Sequence, residues 1–245
     1  MFRILQDSPL DGPTNMARDE ALMLRVGESH SPPTLRLYQW ETPTLSLGYF
    51  QPFCELESLG EPLHSLPVVR RLTGGGAILH DLELTYSLAL PTDHPVAVAG
   101  PNRLYELAHD AIIKCLLTMD VVADRGGDTD DSGPRRGPFF CFARRHRYDV
   151  LVGSDKLVGS AQRRTRKAIL QHGSIILANR YAEQATATVP QPFDRTIRAI
   201  RSSFPEQLAI VMGVSFQPGK WTADELGGAH ALVPKYAGSE WTRRT

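Results

Sequence analysis

Three consecutive glycines, Gly74-Gly75-Gly76, lie between two strand-like segments, VVRR at 68–71 and AILH at 77–80. No other stretch of the chain gives the backbone so much freedom. Without Cβ atoms such a stretch adopts positive φ and admits the close approach of another group. Its exposed N–H groups form a concavity suited to a carbonyl, carboxylate or phosphate. The stretch is neither GxGxxG nor a phosphate-binding loop, since no Lys-Ser/Thr follows it. A tight hairpin with no ligand accounts for three glycines by themselves. The neighbours Arg70, Arg71, Thr73, His80 and Asp81 point towards a site.

The segments around this turn read as strands with helices inserted. Residues 2–6 suit a first strand, and Thr14 or Asn15 suits the N-cap of a helix running to about Glu28. Residues 35–40 and 44–50 alternate around a Glu-Thr-Pro turn, 53–60 reads as a short helix, and 84–90 as a strand. Residues 102–119 carry the clearest helical stripe: Leu104, Leu107, Ala108, Ala111, Ile112, Cys115 and Leu116. Residues 124–138 are polar and loop-like. Strands at 148–152, 156–162 and 169–177 follow, the first two joined by a Gly-Ser-Asp turn. Without strict βαβ alternation, this order predicts an α/β (α+β) fold with a mixed sheet. The 245 residues are enough for one sizeable core.

Lys+Arg and Asp+Glu balance at 27 each, which argues against a dedicated nucleic-acid binder. Local patches remain: Arg163, Arg164, Arg166 and Lys167 on one side of neutral, Asp124, Asp128, Asp130 and Asp131 on the other. The three cysteines, Cys54, Cys115 and Cys141, are far apart and lack metal-ligand spacing. No metal site is predicted, and a reducing compartment is expected. MFRILQDSPLDGP has no leader pattern, and no apolar run approaches the ~20 residues of a membrane span. The expectation is a soluble cytoplasmic chain without a membrane partner.

Cys141 and Lys156 stand on either side of what reads as a short hairpin. Cysteine attacks as the thiolate, which nearby cations favour. Arg144, Arg145, Arg147 and Lys156 are the available cations. With a depressed pKa, Lys156 would also accept a proton from an incoming amine. Alternation places Lys156, Val158, Ser160 and Gln162 on one strand face and Leu157, Gly159 and Ala161 on the other. The residues equally allow a core cysteine between Phe140 and Phe142 and a solvated turn lysine. Cys54 and Cys115 read as structural, and His172 as a hydrogen-bonded structural histidine. His80, beside Asp81, reads as an oriented base or as a tie between strands.

In order along the chain stand GPTNMARDEAL (12–22), PTLSLGYFQ (43–51), RRLTGGGAILHD (70–81), DKLVGSAQ (155–162), LQHGSIIL (170–177) and KYAGSEW (235–241). This set resembles the lipoate–protein ligase and octanoyltransferase family, relatives of the biotin protein ligases. The resemblance implies one catalytic domain over 1–245 without a C-terminal accessory domain. It implies a mixed sheet flanked by helices and an acyl-binding tunnel. Carried over residue by residue, Arg71, Gly74, Gly75, Gly76 and His80 line the acyl site. Lys156 contacts the acyl carbonyl, and Gly159, Ser160 and Ala161 complete the site.

Three activities share that scaffold: ATP-dependent ligases, octanoyltransferases and amidotransferases, the last two working through a cysteine. Cys141-Phe142 precedes YDV where similar ligases carry Asn-Asp, and HDLELTYS resembles the transferases. The chain also stops soon after KYAGSEW. The family therefore implies an octanoyltransferase. It would move octanoyl from acyl carrier protein, through a Cys141 thioester, to the lysine of a lipoyl domain or of glycine-cleavage H protein. No cofactor is required on this reading; ATP and Mg would be needed only by a lipoate-protein ligase. The same motifs also suit an H-protein-to-lipoyl-domain amidotransferase, and the fold also suits a non-catalytic acyl-binding protein. The basic run at 163–167 would steer acidic carrier domains or form a solvated face.

Overall fold

The computed structural model describes residues 1–127 and 138–244. The predicted polar loop lies largely outside the described residues, as do Asp128, Asp130 and Asp131. In chain order the elements are β1 (Phe2–Gln6), α1 (Gly12–Gly27), β2 (Thr34–Tyr38), β3 (Thr44–Leu47), β4 (Val68–Arg70) and β5 (Ile78–His80). Next come β6 (Glu83–Pro91), α2 (Pro95–Val98), α3 (Arg103–Leu117), β7 (Asp124–Arg125), β8 (Val150–Val152) and β9 (Asp155–Arg164). The last are β10 (Ala168–Ile176), α4 (Phe193–Met212), β11 (Phe216–Pro218), α5 (Ala223–Ala237) and α6 (Ser239–Thr242).

Eight strands form one mixed sheet in the order β11-β1-β2-β6-β10-β9-β8-β7, and β4-β3-β5 form a smaller one. β6 and β10 occupy the middle and are buried along nearly their whole length. Both faces of the large sheet are covered, which the alternation of β6 makes plain. Leu84, Tyr86, Leu88 and Leu90 enter the core under α3 and α4, whereas Ala89 packs with α1 and Tyr236 of α5. The α/β expectation with helices flanking a mixed sheet holds. Among the described residues no helix is long and apolar enough to cross a membrane.

Two local expectations give way to longer-range contacts. The segments at 35–40 and 44–50 are strands, but β2 joins the large sheet and β3 the small one. The Glu-Thr-Pro turn thus carries the chain between sheets, because β2 finds its partners in β1 and β6. The first helix begins earlier than Thr14. Asp11 caps it, its carboxylate accepting from Thr14 N at 2.7 Å, with a proline in the first turn.

Asn15 instead faces inward with Asp19 to hold a charge under the sheet. Arg36 on β2 is fully buried. It donates to Asp7 Oδ2 at 2.8 Å, Asp19 Oδ1 at 2.7 Å and Asn15 Oδ1 at 2.7 Å. Burial works to raise the two aspartates, but Arg36 outweighs it and holds both below the ordinary carboxylate value of 3.8. A buried carboxylate stripped of its cation is strongly unfavourable. Arg36→Leu is therefore expected to cost about 3–5 kcal/mol in urea unfolding. Since the folded pKa values lie below the unfolded ones, the contribution is complete above about pH 4 and fades as pH falls further. Thermal melts in an acid series check the sign.

Candidate active site

The glycine turn follows β4, and its shape depends on Arg71. That side chain is 2 % exposed. Nη1 donates to Ser46 O at 2.8 Å and Ser46 Oγ at 3.1 Å; Nη2 donates to Gly74 O at 2.8 Å and Gly76 O at 2.7 Å. Among the described residues no carboxylate pairs with it. Burial lowers the guanidinium to about 10, against the opposing pull of Cys141, so it remains a cation at neutral pH. Gly75 sits at φ +93, and a Cβ there would lie 3.1 Å from Arg71 Nη2 and 3.8 Å from Cys141 Sγ. Only glycine takes that conformation without strain.

The same turn places Cys141. Ala77 N donates to Phe139 O at 2.9 Å, and Cys141 N donates to Ala77 O at 2.8 Å. A Cβ on Gly76 would meet Phe139 O at 2.9 Å, so the two segments touch backbone to backbone. Cys141 begins a single 3₁₀ turn, Cys141–Ala143, and is half-buried. Phe142 beneath it is core, with Ile78 and Ile176. Cys141 packs against that cluster at its edge and is only partly buried, so it is not a fully enclosed core cysteine. Cys54 is exposed, and Cys115 is buried on α3, where burial pushes its thiol up to about 11.

Lys156 reaches the thiol through an irregularity that alternation does not foresee. Val150 pairs with Val158, but Leu151 pairs with Lys156, so β9 carries one extra residue. Such a β-bulge breaks the two-residue period. Leu157 and Val158 both enter the core, and Lys156 crosses to the side of Gly159. A Cβ on Gly159 would stand 2.6 Å from Lys156 Cε and 3.0 Å from Nζ. The predicted grouping of Lys156 with Val158, Ser160 and Gln162 is thereby corrected. Gly159 leaves the space that the ammonium group uses.

Lys156 Nζ lies 3.9 Å from Cys141 Sγ, 3.5 Å from the carbonyls of Cys141 and Arg144, and 2.8 Å from Asp149 Oδ2. Burial alone would lower this ammonium. Electrostatic attraction and hydrogen bonds to Cys141 and Asp149 outweigh burial and hold it above its ordinary value. A depressed lysine, the condition for a free proton acceptor, is not what the site provides. Asp149, 5 % exposed, is the residue that sequence reasoning missed. A carboxylate in YDV, one residue before the strand that pairs with Lys156, was the available signal.

Two spaces meet at the thiol. An inner cavity is lined by Trp40, Ile78, His80, Ala161 and Gly173, and an outer cleft by Tyr105, His109, Arg144, Asp149 and Lys156. Cys141, Gly75 and Ser160 line both. Arg71 and Gly159 border the inner cavity and Gly76 the outer cleft. Gly74 borders neither and serves by accepting from Arg71.

The histidines tie elements together. His80 Nδ1 lies 2.9 Å from Glu83 Oε1, Nε2 lies 2.7 Å from Ser46 Oγ, and the ring stacks on Trp40 at 3.9 Å. Its orienting carboxylate is Glu83; the neighbouring Asp81 pairs instead with Arg180. His172 bridges Thr73 Oγ1 at 2.6 Å and Asp19 Oδ2 at 3.3 Å, in the hydrogen-bonded role expected of it. The basic run divides by strand alternation. Arg163 stacks over Tyr49 at 5.1 Å, while Arg164 donates to Ala97 O.

Comparisons with known proteins agree with this architecture. The lipoyl protein ligase A/B catalytic domain model matches residues 11–210. Octanoyltransferase LipM of Moorella thermoacetica is 34% identical over 270 residues, spanning 99% of this chain and 98% of that protein. LipM of Bacillus subtilis is 31% identical over 257 residues, spanning 93% and 92%. Among solved structures, Ta0514 of T. acidophilum with bound lipoic acid superposes with TM-score 0.78 at 22% identity, covering 99% of both chains. A lipoate-protein ligase A bound with ATP gives 0.75 at 21%, covering 98% of both. These structural likenesses speak to the fold.

Gly159→Ala tests the lysine's placement. The added methyl displaces the ammonium while leaving the ladder with β10 in place. The expected outcome is thermal unfolding that stays cooperative at a lowered midpoint, since Asp149 loses its cation, with iodoacetamide alkylation of Cys141 slowed by roughly an order of magnitude in a Cys54→Ser background.

Proposed function

Because this chain belongs to the lipoyl protein ligase A/B catalytic domain family, and because its full-length curated relatives are octanoyltransferases, we propose that it is an octanoyltransferase that carries the acyl group on Cys141. It is an acyltransferase of lipoate biosynthesis. The observation that carries the choice of nucleophile is the place of Cys141 Sγ. The thiol stands where an apolar inner cavity meets the outer cleft, 3.9 Å from a buried ammonium.

The octanoyl chain occupies the inner cavity, where burial favours it by ~0.8 kcal/mol per methylene. The Cys141 thiolate attacks the carbonyl of octanoyl–acyl carrier protein. A C–S bond forms to Cys141, the C–S bond to the carrier's thiol breaks, and the thiolate leaves through the outer cleft. Arg71 and Lys156 favour the attacking thiolate. Beyond Val158 the β8-facing edge of β9 has no strand partner among the described residues. Its backbone N–H groups near Gly159–Ala161 are the donors for the tetrahedral oxyanion. In the second half, the neutral amine of an acceptor lysine attacks the thioester. The amide bond forms and the sulfur of Cys141 departs, taking up the proton that the amine loses. Lys156 remains an ammonium beside Asp149 and acts as fixed positive charge, not as the base.

The acceptors are lipoyl domains and the glycine-cleavage H protein, reached in the cytoplasm. Neither a nucleic acid nor a membrane is a partner. The transfer requires no cofactor, because the thioester already holds the acyl group in activated form. The proposed catalytic domain spans 1–245.

Intact-mass spectrometry after mixing with octanoyl–acyl carrier protein tests the reading. An octanoyl adduct is expected on the parent and none on Cys141→Ala, which should lose at least ~10³-fold in transfer rate. Lipoylation by Cys141→Ala with ATP, Mg and free lipoate would replace the reading with a ligase. Transfer from octanoyl-H protein alone would make the chain an amidotransferase. Ligand binding without adduct would make it an acyl-binding protein.

A further inference from the structure

His109 lies on α3, 1 % exposed, within the outer cleft and without a part in the chemistry above. Its hydrogen bonds run in a single direction. Nδ1 contacts the backbone carbonyl of Tyr148. A carbonyl can only accept, so Nδ1 carries a proton. Burial lowers the ring to about 4, and the charges acting on it are Asp149, Lys156 and Arg125. The imidazole is therefore neutral, and Nε2 is an acceptor. Ser160 Oγ, 2.7 Å away, donates to it. With its own O–H committed to Nε2, Ser160 Oγ accepts from Tyr86 OH at 2.7 Å. Tyr86 OH in turn accepts from Gln171 Nε2 at 2.8 Å, and Gln171 Oε1 accepts from Gln162 Nε2 at 2.7 Å. Neither ring nitrogen has a lone pair free for substrate, so His109 is not a candidate base.

The chain of bonds ends at the peptide that carries Asp149. Asp149 Oδ2 accepts from His146 N at 2.7 Å and holds Lys156 Nζ at 2.8 Å. One helical turn before His109, Tyr105 stacks on the Tyr148 ring at 6.0 Å with an interplanar angle of 10°. Two residues of α3 thus grip Tyr148, one by its ring and one by its carbonyl. We infer that His109 is a positioning residue of the transfer reaction: its one-way hydrogen-bond chain fixes the Tyr148–Asp149 peptide and thereby the point at which Asp149 holds Lys156 beside Cys141. The chain also engages the hydroxyl of Ser160 on its α3 side, so Ser160 serves the acyl site through its backbone.

This inference rests on Cys141 being the acyl-carrying thiol, and its test reads the thiol directly. In a Cys54→Ser background, iodoacetamide alkylation of Cys141 is followed across pH for three variants, together with kcat and KM for octanoyl transfer. His109→Leu breaks both bonds. It is expected to move the alkylation profile to higher pH and lower kcat by ~10-fold with KM little changed. His109→Asn, whose amide N–H reaches the Tyr148 carbonyl, is expected to recover most of the parent's profile. His109→Gln, which reaches only Ser160, is not. A folded Leu variant with the parent's profile, or Gln matching Asn, overturns the inference. Should His109→Leu fail to fold, the Asn and Gln pair and ¹⁵N NMR of the parent ring decide: a neutral Nδ1–H tautomer supports the chain, an Nε2–H or charged ring ends it. Failure of the parent to take up octanoyl on Cys141 would sink the proposed function instead, and the alkylation comparison would still report how the thiol is placed.

Discussion

A buried guanidinium with no carboxylate beside it among the described residues organises this molecule. Arg71 joins β3 to the glycine turn by donating to three backbone carbonyls and one hydroxyl. Buried cations are costly unless their donors are answered; here the glycine turn answers Nη2 twice, while Nε is buried without a hydrogen-bond partner among the described residues. The turn bends as it does because Gly74 and Gly76 present their carbonyls to the same nitrogen. Their backbone is then close enough for Phe139–Cys141 to pair with Ala77. From Ser46 the same network continues to His80 and Glu83. The charge that shapes the turn is the charge that faces the thiol.

The second cation at the site has the opposite arrangement. Lys156 has a carboxylate, and so is held as an ammonium despite its burial. The two cations lie on opposite sides of the thiol. Arg71 acts from the inner cavity and Lys156 from the outer cleft, with Cys141 between. A fixed field of this kind favours a thiolate and a developing oxyanion without any reorganisation during the reaction. The inner cavity is lined mainly by apolar surface, whereas Arg144, Asp149 and Lys156 bring charge to the outer cleft.

How much of this was legible beforehand differs residue by residue. The helix at 102–119 was clear because seven apolar residues fall on one stripe, and it is α3 within two residues at each end. The glycine turn was clear from its three glycines, of which Gly75 takes the positive φ that favours this residue. Cys141 and Lys156 were visible as reactive types on either side of a hairpin. The bulge at Leu157 was not, because alternation describes one strand and a bulge belongs to the pairing of two. Asp149 was hidden for the same reason: its partner is chosen by the register of β8 against β9. His109 was passed over beside Ala108 on an apolar stripe, where a buried histidine leaves no periodic trace.

By itself, the order of local signals determined that the chain folds as a mixed sheet flanked by helices. It also singled out a glycine turn and a cysteine–lysine pair, which the fold brings together. These are properties of short segments, set by φ, ψ preference and apolar periodicity. The tertiary structure alone decided which face Lys156 occupies, that Asp149 keeps it charged, and that Arg71 lies buried against carbonyls beside the thiol. Each depends on contacts between residues far apart in the chain, where Coulomb interaction in a poorly solvated site outweighs the preference of any single residue.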